Sequence, residues 1–238
     1  MSPRHLIVST HFDDAALSAA HLLQAAGAGA TVVTVCGGAP ARGTPAGAWD
    51  ARSGFATGNA AARARALEDL AACAVTGARH RHLARCDSPY RDRPVDAGEL
   101  RAEIAGLLSA GEVLWLPVGI VNPDHVEVRE ALLPLARSRP GLAGLYVDLP
   151  YAPPGGFDLP PEVAAALPEL ACEDVEVTGA AFACKLAAVE CHASQVPLLA
   201  AEWPDLPAPA GPLRRERYWS PRGQVALSAS ATWPSGIA

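Results

Sequence analysis

The chain has 238 residues, half of them apolar, and a formal net charge of −6. That is enough apolar material for one large α/β domain with a sizeable core, spanning residues 1–238. The acidic balance and the lack of a basic stripe argue against nucleic acid as a partner. No apolar run approaches the ~20 residues needed to span a bilayer. Leu6 to Val8 is too short for the apolar core of a signal peptide, so a cytoplasmic protein is expected. The six cysteines form no C-x-x-C pair and read as reduced core residues.

In chain order, residues 4–10 read as a first strand and 13–26 as a helix closed by Gly27. Ala30 to Cys36 is β-branched and continuous, as a doubly covered parallel strand should be. Gly37 to Gly54 reads as a long loop that could rim a pocket. A helix is expected from Asn59 to Val75, a weak third strand over 79–84, and a short helix over 99–109. Glu112 to Val118 reads as strand 4, Val126 to Arg137 as a helix, and Leu142 to Leu149 as strand 5. Beyond Pro150 the chain is proline-rich, with a strand over 174–178 and a helix over 180–193. The alternation predicts a Rossmann-like, doubly wound, mainly parallel sheet with helices on both faces.

Two polar clusters then stand out. His11-Phe12-Asp13-Asp14 follows strand 1, and Asn122-Pro123-Asp124-His125 follows strand 4. Taken alone, Asp13 and Asp14 are helix-capping acids favoured by the helix dipole, and Asp124-His125 is a polar helix start. A strand order of 3-2-1-4-5, however, makes strands 1 and 4 neighbours at the point where ligands bind such sheets. His11, Asp14 and His125 would then offer two imidazoles and one carboxylate. Three protein ligands with a fourth, water-bearing position make up a catalytic zinc site. Asp13, beside a ligand, suits the general base, and Asp124 could hold a neighbouring group.

These residues carry a resemblance. His11 to Asp14 is similar to the H-P-D-D motif of the LmbE/PIG-L deacetylases, and Asn122 to His125 to their H-P-D-H motif. Lys185 to Gln195 resembles the family's K-x-x-A-x-x-x-H-x-S-Q segment, and Arg65 to Glu68 its R-x-x-E helix. The resemblance implies zinc-dependent removal of an N-acyl group, commonly N-acetyl, from an amino sugar. It puts Zn2+ on His11, Asp14 and His125 and the general base on Asp13. It further implies substrate contacts for Arg65 and Asp92. His192 reads equally as a structural or a substrate-facing histidine. The expected partner is a small N-acylated amino sugar or glycoside, with self-association left open.

Three departures matter: Phe12 for proline, Ala15 for glutamate, and Asn122 for the histidine that steadies the tetrahedral oxyanion. An amide donates only a neutral hydrogen bond. No other histidine lies in the two clusters, so an intrinsically slow hydrolase is expected. Two other readings are an amidase on a thiol conjugate or natural-product intermediate, and a non-catalytic metal- or sugar-binding protein.

Overall fold

The computed structural model describes residues 3–152, 157–206, 208 and 210–221. The first strand, β1 (His5–Ser9), is buried along its whole length and leads through a short loop into α1 (Asp14–Ser18) and α2 (Ala20–Ala26). There follow β2 (Ala30–Thr34), α3 (Ala48–Arg52), α4 (Gly58–Thr76), β3 (Arg79–His82), α5 (Ala97–Leu107) and β4 (Val113–Pro117). The chain continues through α6 (Pro123–Arg137), β5 (Ala143–Tyr146), α7 (Pro161–Ala166), β6 (Leu170–Glu176), α8 (Gly179–Glu190), α9 (Val196–Glu202) and β7 (Arg215–Pro221).

The seven strands form one sheet in the order β3-β2-β1-β4-β5-β7-β6. The first five are parallel, in the arrangement expected from sequence. β7 inserts antiparallel between β5 and β6. Side chains alternate along β1, so Ile7 packs into one core while Leu6 and Val8 enter the other. Ile7 joins Val32, Trp115, Phe182 and Val189 on one face. Leu6 and Val8 join Leu100, Ile104, Val128 and Leu132 on the opposite face. β3 is an edge strand with Arg79, His80 and Arg81 exposed, which accounts for its weak apolar pattern.

Three expectations need correction. The first helix is not continuous over 13–26 but breaks at Ala19. Ala19 cannot cap α2 itself. The Glu216 carboxylate of β7 does so from a distance, accepting the His21 N–H at 3.0 Å. Of the six cysteines only Cys36 and Cys73 are buried; all six are free, and Cys172 is exposed. The helix expected from Val126 begins earlier, at Pro123, because the Asn122 side chain caps it. Within the proline-rich part of the chain beyond 193, residues 196–202 form α9. Among the described residues no helix is long and apolar enough to cross a membrane.

Glu216 also binds Lys185 of α8, Nζ to Oε1 at 2.7 Å, with both side chains fully buried, and it accepts the Tyr218 hydroxyl. Three elements are thus tied to one carboxylate. Lys185→Met should strand that charge and lower unfolding free energy by about 3–5 kcal/mol, seen as a lower urea midpoint. Adding Glu216→Gln should recover part of the loss.

Candidate metal centre and active site

β1 and β4 end side by side, and the loops that leave them bring the two polar clusters together. The His11 backbone N–H donates to Asp14 Oδ2 at 2.7 Å, folding the loop so that both side chains face one point. His11 Nδ1 lies 3.1 Å from His125 Nε2 and 3.7 Å from Asp14 Oδ2, and His125 Nε2 lies 3.3 Å from Asp14 Oδ2. Donor atoms about 2.0–2.1 Å from a tetrahedral zinc are separated from one another by about 3.3–3.4 Å. The donor set and its spacing therefore fit zinc. His125 is fully buried, and its Nδ1 is bonded to Asp148 Oδ1 at 2.6 Å. Asp148 is itself fixed by the Gly119 N–H at 2.8 Å. That bond commits Nδ1 and leaves Nε2 to face Asp14 and His11.

The local field favours a cation. Burial works against charge on His11, but Asp87, Asp124 and Asp14 outweigh it and hold the imidazole well above its ordinary pKa. Burial likewise opposes charge on His125, and Asp14 and Asp148 raise it. Asp124 Oδ2 lies 3.1 Å from His11 Nε2 and accepts the Ser88 N–H at 3.1 Å, while Arg91 binds its other oxygen. Burial pushes the Asp124 carboxyl up, but the His11 bond prevails and holds it well below the usual range. Asp13 lines the pocket beside these groups, and its side chain makes no capping bond to α1. Asp13 is therefore not committed to the helix that follows it.

Comparison with known proteins bears on this arrangement. The model of the PIG-L family, described as GlcNAc-PI de-N-acetylase, matches residues 6–136. The chain belongs to the PIG-L family. Among solved structures, this PIG-L chain is similar to a triple mutant of a deacetylase in the teicoplanin biosynthetic pathway. That pair shares 28% identity at a TM-score of 0.73, covering 91% of this chain and 97% of the other. It is also similar to Dbv21, the A40926 pseudoaglycone deacetylase, at 30% identity and TM-score 0.69 over 92% and 97% of the two chains. The N,N'-diacetylchitobiose deacetylase of Pyrococcus horikoshii shares the fold at 15% identity and TM-score 0.55, over 86% and 76%. No curated protein matches the chain.

The pocket of this PIG-L member encloses about 350 Å³. The long loop expected as a rim supplies Gly38, Trp49 and Asp50 to its wall, and α9 with the residue after it supplies Leu199, Glu202 and Trp203. Arg65 is buried in that wall and pairs with Asp50 at 2.5 Å, rather than with Glu68 or Asp69 of its own helix. Tyr90 donates to the other oxygen of Asp50. Glu68 instead accepts both the backbone N–H and the hydroxyl of Ser194 at 2.8 Å. The R-x-x-E helix and the segment around His192 are thereby clipped together. Asp92 is exposed and lies outside the wall, whereas the adjacent Arg91 reaches Asp124. His192 is buried between α8 and α9, also outside the wall, and neither ring nitrogen has a hydrogen-bond partner. Phe12 and Ala15 are buried beside the histidine and acids, Phe12 edge-on against His82.

Sequence reasoning missed Asp148, Asp87, Arg91, Asp50 and Tyr151. Asp148 had a usable signal, because it sits at the C-terminal end of strand 5, one position over from the two clusters that were found. The other four lie in loops or a short helix without periodic pattern. Asp148→Ala should free the His125 ring and weaken zinc affinity by about 10–100-fold, measured against a competing chelator.

Proposed function

We propose that this chain is a zinc-dependent hydrolase that removes an N-acyl group, N-acetyl foremost, from an amino sugar carried by a larger small molecule. One observation carries the reading: His11 Nδ1, Asp14 Oδ2 and His125 Nε2 converge at 3.1–3.7 Å, with Asp13 next to them in an open pocket. Family membership supports N-deacylation. The similar structures of deacetylases from teicoplanin biosynthesis and of Dbv21 support a glycosylated natural product as the carrier of the sugar. The pocket volume suits a sugar ring with part of its aglycone.

His11, Asp14 and His125 would hold the metal. When bound, zinc supplies Lewis acidity toward the scissile carbonyl and toward water. Asp13 takes the proton from the attacking water at a carboxylate oxygen. When the C–N bond breaks, Asp13 returns that proton to the departing nitrogen, so the products are an amine and a carboxylic acid, which settle in neutral water as the ammonium and the carboxylate. Asp124, held by Arg91 and Ser88, fixes the His11 ring through Nε2. Arg65, with its charge partly satisfied by Asp50, offers the sugar hydroxyls a donor of fixed direction. Trp49, Tyr90 and Trp203 supply flat apolar walls for the ring and the aglycone. Asp92, exposed beyond the wall, would meet only a substrate that extends past it, and His192, buried behind the wall, serves as a structural residue in this scheme. The competing reading, a binding protein without turnover, is favoured by Asn122 alone. Bound zinc with no amine release from any N-acyl amino sugar would decide for it.

His11→Ala, Asp14→Ala and His125→Ala should each lower zinc content, measured by atomic emission, and abolish amine release. Full zinc in two of the three would overturn the ligand set. Asp13→Asn should keep zinc and lose rate by ~10²-fold or more. Loss of zinc in that variant would mean that the two carboxylates had been exchanged.

Arg65→Ala should lower kcat/KM through KM, with zinc intact. Unchanged KM on the best N-acetyl glycoside found would make Arg65 a structural partner of Asp50.

A further inference from the structure

The histidine that the family pattern places at the first position of its second motif is Asn122 here, and the structure shows what the amide does instead. Its Oδ1 accepts the Asp124 N–H at 2.9 Å and caps α6. That bond fixes which way the amide points. Nδ2 is left to face the other side, where it donates to the Tyr151 hydroxyl oxygen at 3.2 Å. A phenol that accepts a bond at its oxygen still has its own proton to give. Asn122 therefore occupies an acceptor site on Tyr151 and leaves the O–H to be directed elsewhere.

The phenol itself is firmly placed. Its ring stands edge-on to His125 with centroids 5.4 Å apart, and edge-on to Trp203 at 5.7 Å. Tyr151 also follows Asp148, the partner of His125, by three residues, and the Ala152 N–H donates to the Asp148 carbonyl at 3.2 Å. One turn of chain thus positions both the group that orients a proposed zinc ligand and the phenol beside it. Both Tyr151 and Asn122 line the pocket that holds His11, Asp13 and Asp14. The turn before Asn122 is strained. Val121, a β-branched and exposed residue, adopts φ +60°, and the Asn122 N–H bonds back to the Ile120 carbonyl at 2.6 Å. Such backbone strain persists where the surrounding structure fixes a side chain in one place.

We infer that Tyr151 is the oxyanion donor of this enzyme, with Asn122 as the positioning residue that caps α6 and turns the Tyr151 O–H toward the pocket. The inference rests on the hydrolase reading above. As water adds to the acyl carbon, the carbonyl π pair moves onto oxygen, and the Tyr151 O–H donates a hydrogen bond to that oxygen. The phenol keeps its proton throughout; when the C–N bond breaks, the carbonyl re-forms and the hydrogen bond weakens again. Tyr151 thus does the work of the missing histidine from the far side of the cap, and the rate need not be low.

The test uses the zinc-loaded enzyme, N-acetylglucosamine as substrate, and the methylphosphonamidate of glucosamine as a tetrahedral probe. Tyr151→Phe keeps the ring contacts and loses only the hydroxyl. It should lower kcat by about 10²-fold and weaken probe binding by a similar factor. KM, zinc content and affinity for the glucosamine product should hold. Asn122→Ser keeps a capping oxygen but cannot reach Tyr151. It should lower kcat by about tenfold with an unchanged melting temperature. In the Tyr151→Phe background the same change should cost almost nothing more, because the two residues act as one unit. Tyr151→Phe with wild-type kcat and probe affinity overturns the inference while leaving the hydrolase reading intact. Full additivity of the two substitutions removes Asn122 from the positioning role. A wild-type enzyme that releases amine from no N-acyl amino sugar or glycoside and does not bind the probe overturns the hydrolase reading itself, and this inference with it.

Discussion

Negative charge gathers in this fold where it is least welcome. Asp14, Asp124 and Asp148 are all buried, and they press on two imidazoles that touch one another. Such a cluster is tolerable only if positive charge joins it, because like charges in a poorly solvated space repel strongly. Part of that charge comes from Arg91 on Asp124. The remainder can be protons on the histidines or a divalent cation between them. Both satisfy the same field, so metal binding and proton release are two sides of one equilibrium. The flanking structure serves this cluster: β1 and β4 bring the loops together, Asp148 aims one ring, and Ser88 and Arg91 hold the carboxylate that aims the other.

Much of this was legible in the residues because parallel sheets place function by rule. An apolar run followed abruptly by His11-Phe-Asp-Asp marks a strand end, and so does the run before Asn122. Two such ends, on adjacent strands, specify a site without any knowledge of side-chain geometry. The same rule extends to Asp148, which follows the end of the next strand. What could not be read has a different physical origin. β7 is antiparallel and arrives after a proline-rich stretch, so no βα alternation announces it. The helix that restarts after Ala19 is capped by Glu216, almost two hundred positions away. Asp50 pairs with Arg65, yet a local reading offers Arg65 two carboxylates on its own helix. In each case the partner is chosen by tertiary packing, and spacing along the chain carries no trace of it.

Asn122 shows how one substitution can shift a role rather than remove it. A histidine at a helix start cannot cap well, whereas asparagine is among the better caps. The exchange gives α6 a firm beginning, and α6 carries Asp124 and His125 in its first turn. Firmness in that turn matters more than strength elsewhere in the helix, because both side chains serve the cluster. The amide also has a second end, which histidine at this position would use differently. That end meets Tyr151.

The tie between Glu216 and the start of α2 also has a temporal side. The residues of the first cluster are among the first to be synthesised, and the carboxylate that caps the helix behind them is among the later ones in the described chain. Until residue 216 has left the ribosome, Lys185 has no counter-charge and the outer edge of β5 has no neighbour. Without β7 the sheet would end at β5, β6 would have no partner and Lys185 would be an unpaired interior cation, a state prone to wrong pairing. The helix behind the first cluster is thus held by the last strand of the described chain, so the order of synthesis and the order of packing run in opposite directions here.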